Sequence, residues 1–190
     1  LVYGFWVFVV AKIPVKKFIQ AIREPVSIAF ATTSSDSALP KALENMEKFG
    51  VPRKIVSFVI PTGYTFNLDG TTLYLSLASV FVAQASGIHL SFGEQMIGLT
   101  LMLSSKGVAA VPRASLVILI ATAATFHFPL WPIMAIYGID ELMDMARTSV
   151  NVMGNTLASC VIARWENEFD DEKALAFDEK KADAIVDNND

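Results

Sequence analysis

Five polar residues recur near the end of the chain: Asp140, Asp144, Arg147, Asn151 and Asn155. They are spaced by 4, 3, 4 and 4 residues within "GIDELMDMARTSVNVMGN". At 3.6 residues per turn that spacing puts all five on one face of a helix. In an apolar setting such a stripe needs partners, because an isolated charge at the centre of a bilayer costs about 2.5–3.5 kcal/mol on insertion scales. The residue types suggest what the partners are. A guanidinium at Arg147 grips a carboxylate through two parallel N–H donors. A carboxylate at Asp144, one turn earlier, pairs with an ammonium. Together they fit an amphoteric ligand that carries an extra acidic group.

Two other stretches have matching chemistry. "PTGYTFNLDGTTLY" (61–74) lies in a strongly apolar region, yet its centre holds Asn67, Asp69 and Gly70. A glycine-flanked break in a helix frees backbone carbonyls, and the Asn and Asp side chains add oxygens. Oxygen-rich pockets suit hard cations such as Na+, or H+ on a carboxyl group. The serines of "TTSSDSALP" (32–40) can cap a helix N-terminus, where orphan N–H groups attract anions. Each feature also has a purely structural alternative: an internal ion network, a helix kink and a plain cap. Serine nucleophile chemistry is disfavoured, since there is no G-x-S-x-G and no histidine close by.

The elements that hold these residues read as membrane helices. The chain of 190 residues is 53% hydrophobic, with a mean hydropathy of +0.46. Thr71–Phe92 and Ala114–Ile139 run for 22 and 26 residues without Asp, Glu, Lys or Arg. About 20 apolar residues cross a bilayer core. Leu1–Ala11 is apolar and reads as the end of a preceding helix, so the chain is expected to be part of a longer protein. Basic clusters at 12–23 and 48–54 mark a cytoplasmic side. The segments around Ser34–Ser37 and Ser104–Arg113 are each too short for two full crossings, and read as re-entrant hairpins with small, polar tips. Such backbone is tolerated at membrane depth only when it is buried in protein or lines a cavity. Interrupted helices in matching halves point to a binding site near the membrane midplane.

The expected fold is therefore an all-α membrane protein with an inverted repeat. Residues 1–13 end one helix and 14–50 form the first hairpin. A broken helix spans 51–86, a second hairpin 93–129, and a polar-striped helix 130–165. Glu166–Asp190 carries ten acids and three bases, and reads as a solvated, disordered cytoplasmic tail. Cys160 is the only cysteine, so no disulfide forms within the chain. His89 and His127 have no partners at metal-ligand spacing. No basic, aromatic-interleaved surface suggests nucleic acid.

At these residues the chain resembles the dicarboxylate/amino acid:cation symporter family, the glutamate transporters. Four landmarks occur in order over residues 1–165: the serine-rich tip "TTSSDSALP", "NLDGT" at 67–71, "SSKGVAAVPR" at 104–113 and "DMARTSVN" at 144–151. The resemblance implies the transport half of a multi-pass plasma-membrane symporter, homotrimeric through a scaffold domain outside this chain. It implies no enzyme activity and no cofactor, only coupling ions (H+, Na+ or both). Substrate contacts would come from the Ser35 and Val111 backbones, Thr71, Asp144 to the amino group, Arg147 to the side-chain carboxylate, and Thr148 and Asn151. Cation sites would draw on Gly63, Thr65, Asn67, Leu68, Asp69, the Ser105, Lys106, Gly107 and Val108 carbonyls, Asn151 and Asn155.

The chain departs from the family's pattern in informative ways. Asn155 stands where sodium-driven members carry an aspartate, which favours proton coupling. Leu75 stands where animal members carry a proton-binding glutamate. Thr33 and Met145 occupy the places of the family's movable arginine, and Ala110 and Arg113 replace tip glycines. Keeping Asp144 together with Arg147 favours glutamate or aspartate over C4-dicarboxylates. A different class, an intramembrane aspartyl protease using Asp69 with Asp140 or Asp144, is the weaker alternative: the Arg147 charge would favour ionisation of the nearby acid over proton sharing.

Overall fold

The computed structural model describes residues 12–66, 69–88, 91–92, 114–125 and 127–177. Among them every regular element is a helix: α1 (Val15–Thr32), α2 (Ser35–Lys48), α3 (Arg53–Phe66), α4 (Asp69–Ala85), α5 (Ala114–Thr125), α6 (Trp131–Tyr137), α7 (Asp140–Trp165) and α8 (Asp171–Ala176). The all-helical expectation holds for these residues. Asn67, Leu68 and the second tip, with Ser105, Lys106, Gly107, Val108 and Val111, lie outside them.

Local chemistry sets the boundaries. Thr33 takes a left-handed conformation (φ 52°) and ends α1. Ser34 then caps α2, its Oγ accepting from the Ser37 N–H at 3.3 Å. Asp36 in the first turn and Lys48 in the last complement the helix dipole. So the polar tip is a two-residue turn between two helices that pack on each other. At the far end Gly50 (φ 105°) stops α2. The Val51 N–H donates to the Met46 carbonyl and the Gly50 N–H to Glu47, a paired closure of the last turn.

α7 is the central element: α1, α2, α3 and α4 all pack against it. One core joins α1, α2, α3 and α7, and a second joins α4, α5 and α6. Outward faces stay apolar, with Phe58, Leu73, Leu77, Val117 and Leu142 each at least 60% exposed. None of the described helices is both long and apolar enough to cross a membrane by itself. α3 and α4 have 14 and 17 residues, and the 26-residue α7 carries charges along its stripe.

Two boundaries differ from the sequence reading. The segment expected as one helix over 130–165 is two, α6 and α7, with a turn at Gly138–Ile139. Asp140 therefore stands in the first turn of α7, where the dipole favours an acid. The tail is corrected as well: 166–177 is folded, not disordered. Phe169 and Phe177 are buried and meet the Phe49 ring edge-on at 5.8 and 5.9 Å. The Asp170 N–H donates to the Gly50 carbonyl at 3.0 Å, and Lys17 Nζ donates to the Phe177 carbonyl at 2.8 Å. Arg164 forks onto both oxygens of Asp171, and that hydrogen-bonded pairing holds the Asp171 carboxyl below its usual range. Three apolar anchors thus outweigh the acidic composition that suggested disorder.

Candidate functional site

The stripe on α7 is buried. Asp140, Asp144, Arg147, Thr148 and Asn151 are 2–7% exposed, and Asn155 is fully enclosed. Two glycines bring neighbouring helices close enough to cover it. A Cβ at Gly70 would overlap the Arg147 carbonyl, and one at Gly63 would overlap the Asn155 amide. Small residues at 63 and 70 therefore let α3 and α4 lie directly against the polar face of α7.

Arg147 lies at the centre of the stripe. Its Nε donates to Asp144 Oδ1 at 2.9 Å and its Nη1 to Asp140 Oδ1 at 3.1 Å. Its guanidinium sits 4.5 Å above the Tyr74 ring, a stacking that Arg's delocalised plane favours. Tyr74 Oη donates to Asp140 Oδ1 at 2.8 Å, and Thr148 Oγ1 to Asp144 Oδ1 at 3.3 Å. Two buried atoms of this cluster have no partner among the described residues, Arg147 Nη2 and Asp140 Oδ2. An unpartnered guanidinium nitrogen inside a fixed cluster is a donor ready for a carboxylate.

One turn on, Asn151 spans to α4. Its Oδ1 accepts from the Gly70 N–H at 2.8 Å and the Thr71 N–H at 3.4 Å. Its Nδ2 donates to Thr71 Oγ1 at 3.1 Å. The amide therefore satisfies the first N–H groups of α4, the end of a helix that attracts negative charge.

The structure thus gathers Thr71, Asp144, Arg147, Thr148 and Asn151 into one connected network. Gly63 and Asn155 meet one turn further along. Asp69 is half-buried in the first turn of α4, and Thr65 is exposed on α3. Ser35 is half-buried in the first turn of α2, and among the described residues no hydrogen bond joins it to the stripe. No group of three or more His, Cys, Asp or Glu side chains gathers among the described residues. A cation here would draw mainly on carbonyl, amide and hydroxyl oxygens with a single carboxylate such as Asp69, a donor set that suits a hard monovalent ion. An apolar hollow of about 240 Å³ opens beside Tyr74. Leu77, Phe81, Ile136 and Met143 line it, so it offers no polar chemistry of its own.

Tyr74 carried no role in the sequence reading, and Asp140 carried one only in the protease alternative. Tyr74 falls three residues after Thr71 and four after Gly70, on the same face of α4, and that periodicity is the signal that marks it. Asp140 was visible in the stripe, but its pairing with Arg147 and Tyr74 depends on helix packing.

Comparison with known proteins places this arrangement. Residues 1–165 match the sodium:dicarboxylate symporter family. The chain is 50% identical over 161 residues to the proton/glutamate-aspartate symporter of Escherichia coli (strain K12), covering 84% of this chain and 37% of that protein. It is 46% identical over 181 residues to the proton/sodium-glutamate symport protein of Geobacillus stearothermophilus, covering 91% and 43%. It is 47% identical over 157 residues to the C4-dicarboxylate transport protein of Agrobacterium fabrum (strain C58 / ATCC 33970), covering 82% and 35%. The chain spans about two fifths of the length of these relatives.

Proposed function

The chain belongs to the sodium:dicarboxylate symporter family, one of transporters and not of enzymes, and from that premise we propose that it is the ligand-binding part of a membrane symporter for acidic amino acids. Glutamate or aspartate is the substrate, and H+, Na+ or both are the coupling ions. The observation that carries this reading is the buried Arg147 guanidinium, held by Asp140 and Asp144, with Nη2 unpartnered among the described residues.

In this reading Arg147 binds the side-chain carboxylate in a bidentate way. Asp144 then turns from Arg147 to the substrate ammonium, so one internal ion pair is exchanged for two with the ligand. Thr148, Thr71 and Asn151 receive the backbone carboxylate, with the backbones of Ser35 and Val111 closing over it. Gly63, Thr65, Asn67, Leu68, Asp69, the 105–108 carbonyls, Asn151 and Asn155 supply cation ligands. Residues 14–50 and 93–129 act as re-entrant hairpins, and 51–86 and 130–165 as membrane segments. The exposed apolar side chains of the outer faces fit lipid and a trimerising scaffold. The protein sits in the plasma membrane with its tail on the cytoplasmic side.

The relative described as a C4-dicarboxylate transporter keeps that substrate class as the second reading. Asp144 argues against it, because a dicarboxylate leaves this buried acid without an ammonium. The protease reading is set aside: both aspartates of α7 are hydrogen-bonded to Arg147.

Uptake by the full-length protein in vesicles tests the proposal. Wild type accumulates glutamate or aspartate, whereas Arg147→Cys loses acidic uptake and gains neutral amino acids. Unchanged glutamate uptake in Arg147→Cys would sink the assignment.

A further inference from the structure

We propose that Asp140 is the site that binds a coupling proton, and that Arg147 links this proton to the substrate carboxylate. The inference rests on the symport reading and goes beyond it by naming the proton site.

The argument begins with charge. Asp140, Asp144 and Arg147 are 2%, 7% and 5% exposed. Two carboxylates therefore share one guanidinium away from water, an excess of one negative charge. An uncompensated charge in such a place is strongly unfavourable, and proteins neutralise it with a partner or a proton.

The hydrogen bonds show which acid is open. Asp144 has its own partners in Arg147 Nε and Thr148 Oγ1, and its place facing the substrate amine is taken in the reading above. Asp140 receives Tyr74 Oη and Arg147 Nη1 on a single oxygen, Oδ1. Oδ2 is buried without a partner among the described residues. A proton on Oδ2 leaves Oδ1 as a carbonyl oxygen that still accepts both bonds. Protonation therefore removes one negative charge without dismantling the contacts that hold Arg147, while the empty site keeps its single excess charge against the Tyr74 Oη and Arg147 Nη1 donors until substrate adds another.

The charged surroundings are sparse. On its own helix Asp140 faces Asp144 and Arg147. From α4 it meets Tyr74; Asp69, the only ionisable acid or base on α4, precedes Tyr74 by five residues and points about 140° around the helix. α6 carries no charged residue. Among the described residues nothing else offers Asp140 a compensating cation.

Coupling follows from the same count. An acidic amino acid carries two carboxylates and one ammonium: its ammonium takes Asp144, its side-chain carboxylate joins Asp140 on Arg147, and the excess at the site grows from one negative charge to two. One proton on Asp140 cancels that addition. The proton comes from water on the side where the substrate enters and returns to water where the substrate leaves.

The test is proton uptake linked to substrate binding, measured with a pH-indicator dye on the full-length protein in weakly buffered detergent. Glutamate or aspartate is added to wild type, Asp140→Asn and Asp140→Glu, and affinity is followed against pH by calorimetry. Wild type takes up about one proton per substrate, and its affinity falls about tenfold per pH unit on the alkaline side, as linkage of one proton requires. Asp140→Asn loses the uptake and the pH slope; Asp140→Glu restores both. Infrared difference spectra of unmodified protein serve if Asp140→Asn does not fold: substrate should raise a protonated-carboxyl band that changes position in Asp140→Glu. The inference alone is overturned by wild type that binds substrate without proton uptake, by Asp140→Asn that keeps it, or by absence of the band. Failure of glutamate and aspartate to bind at all overturns the symport reading, and this inference with it.

Discussion

Arg147 shows how one residue can serve both a fold and a ligand. With the site closed on itself, the guanidinium ties Asp140 and Asp144 together on α7 and stacks on Tyr74 of α4. Its fork geometry suits these bonds and a substrate carboxylate alike, which a lysine ammonium does not reproduce. Asn155 carries a separate question. It is fully buried against Gly63, and its amide supplies an oxygen but no charge. Asn155→Asp adds a carboxylate at a position proposed to contact a cation. The expected outcome is stronger stimulation of uptake by Na+ at fixed pH, read in vesicles. It should come with a lower melting temperature in sodium-free buffer, because a charge at this fully enclosed position costs more to bury than the neutral amide. Unaltered sodium dependence would remove Asn155 from the proposed cation ligands.

At the scale of elements, the polar tip and the folded tail lie at opposite ends of the first helix pair. The tip is a short turn with its own caps. The base is closed by residues 168–177, which join Lys17 of α1, the turn at Phe49–Gly50, Lys54 of α3 and Arg164 of α7. Gly50 permits this closure in two ways. Its φ of 105° is one that other residues rarely adopt, and a Cβ there would overlap the Asp170 carbonyl. Gly50→Ala should therefore cost about 1–3 kcal/mol, the range for a strained backbone position. Hydrogen exchange of 166–177 should rise with it, while the α4–α7 contact stays protected. Equal loss of protection in both places would show that the tail is not a separable closure.

For the whole molecule, α7 is the hub of the larger core and packs on α4 of the second, and the polar face it buries is the reason the outer faces can remain apolar. A lone charged helix would not rest in a bilayer; one whose charges are enclosed by α3 and α4 presents mainly Phe, Leu and Val outward. Coupling belongs to this scale, since it concerns exchange between two sides of a membrane. With pH and Na+ gradients imposed separately, a pH gradient alone should drive glutamate accumulation in vesicles of the full-length protein. Accumulation that needs Na+ and ignores the pH gradient would contradict the proton coupling argued from Asn155 and Asp140.

The sequence alone determined the helical class, the family likeness and the polar stripe, because these depend on local order. A 4-3-4-4 spacing places side chains on one helix face whatever surrounds it, and runs such as "NLDGT" carry their chemistry in adjacent residues. The folded tail was hidden, because ten acids dominate its composition while its anchors, Phe169, Ala174 and Phe177, act only within a core built by other helices. The turn at Gly138–Ile139 was hidden too, within an apolar run that reads as continuous. Tertiary structure alone decided which acid Arg147 shares with Tyr74, that Asn151 closes the start of α4, and that one oxygen of Asp140 is left over. Those are relations between helices some 70 to 80 residues apart. Hydrogen-bond geometry at that separation is set by close packing at Gly63 and Gly70, not by the order of residues in either helix.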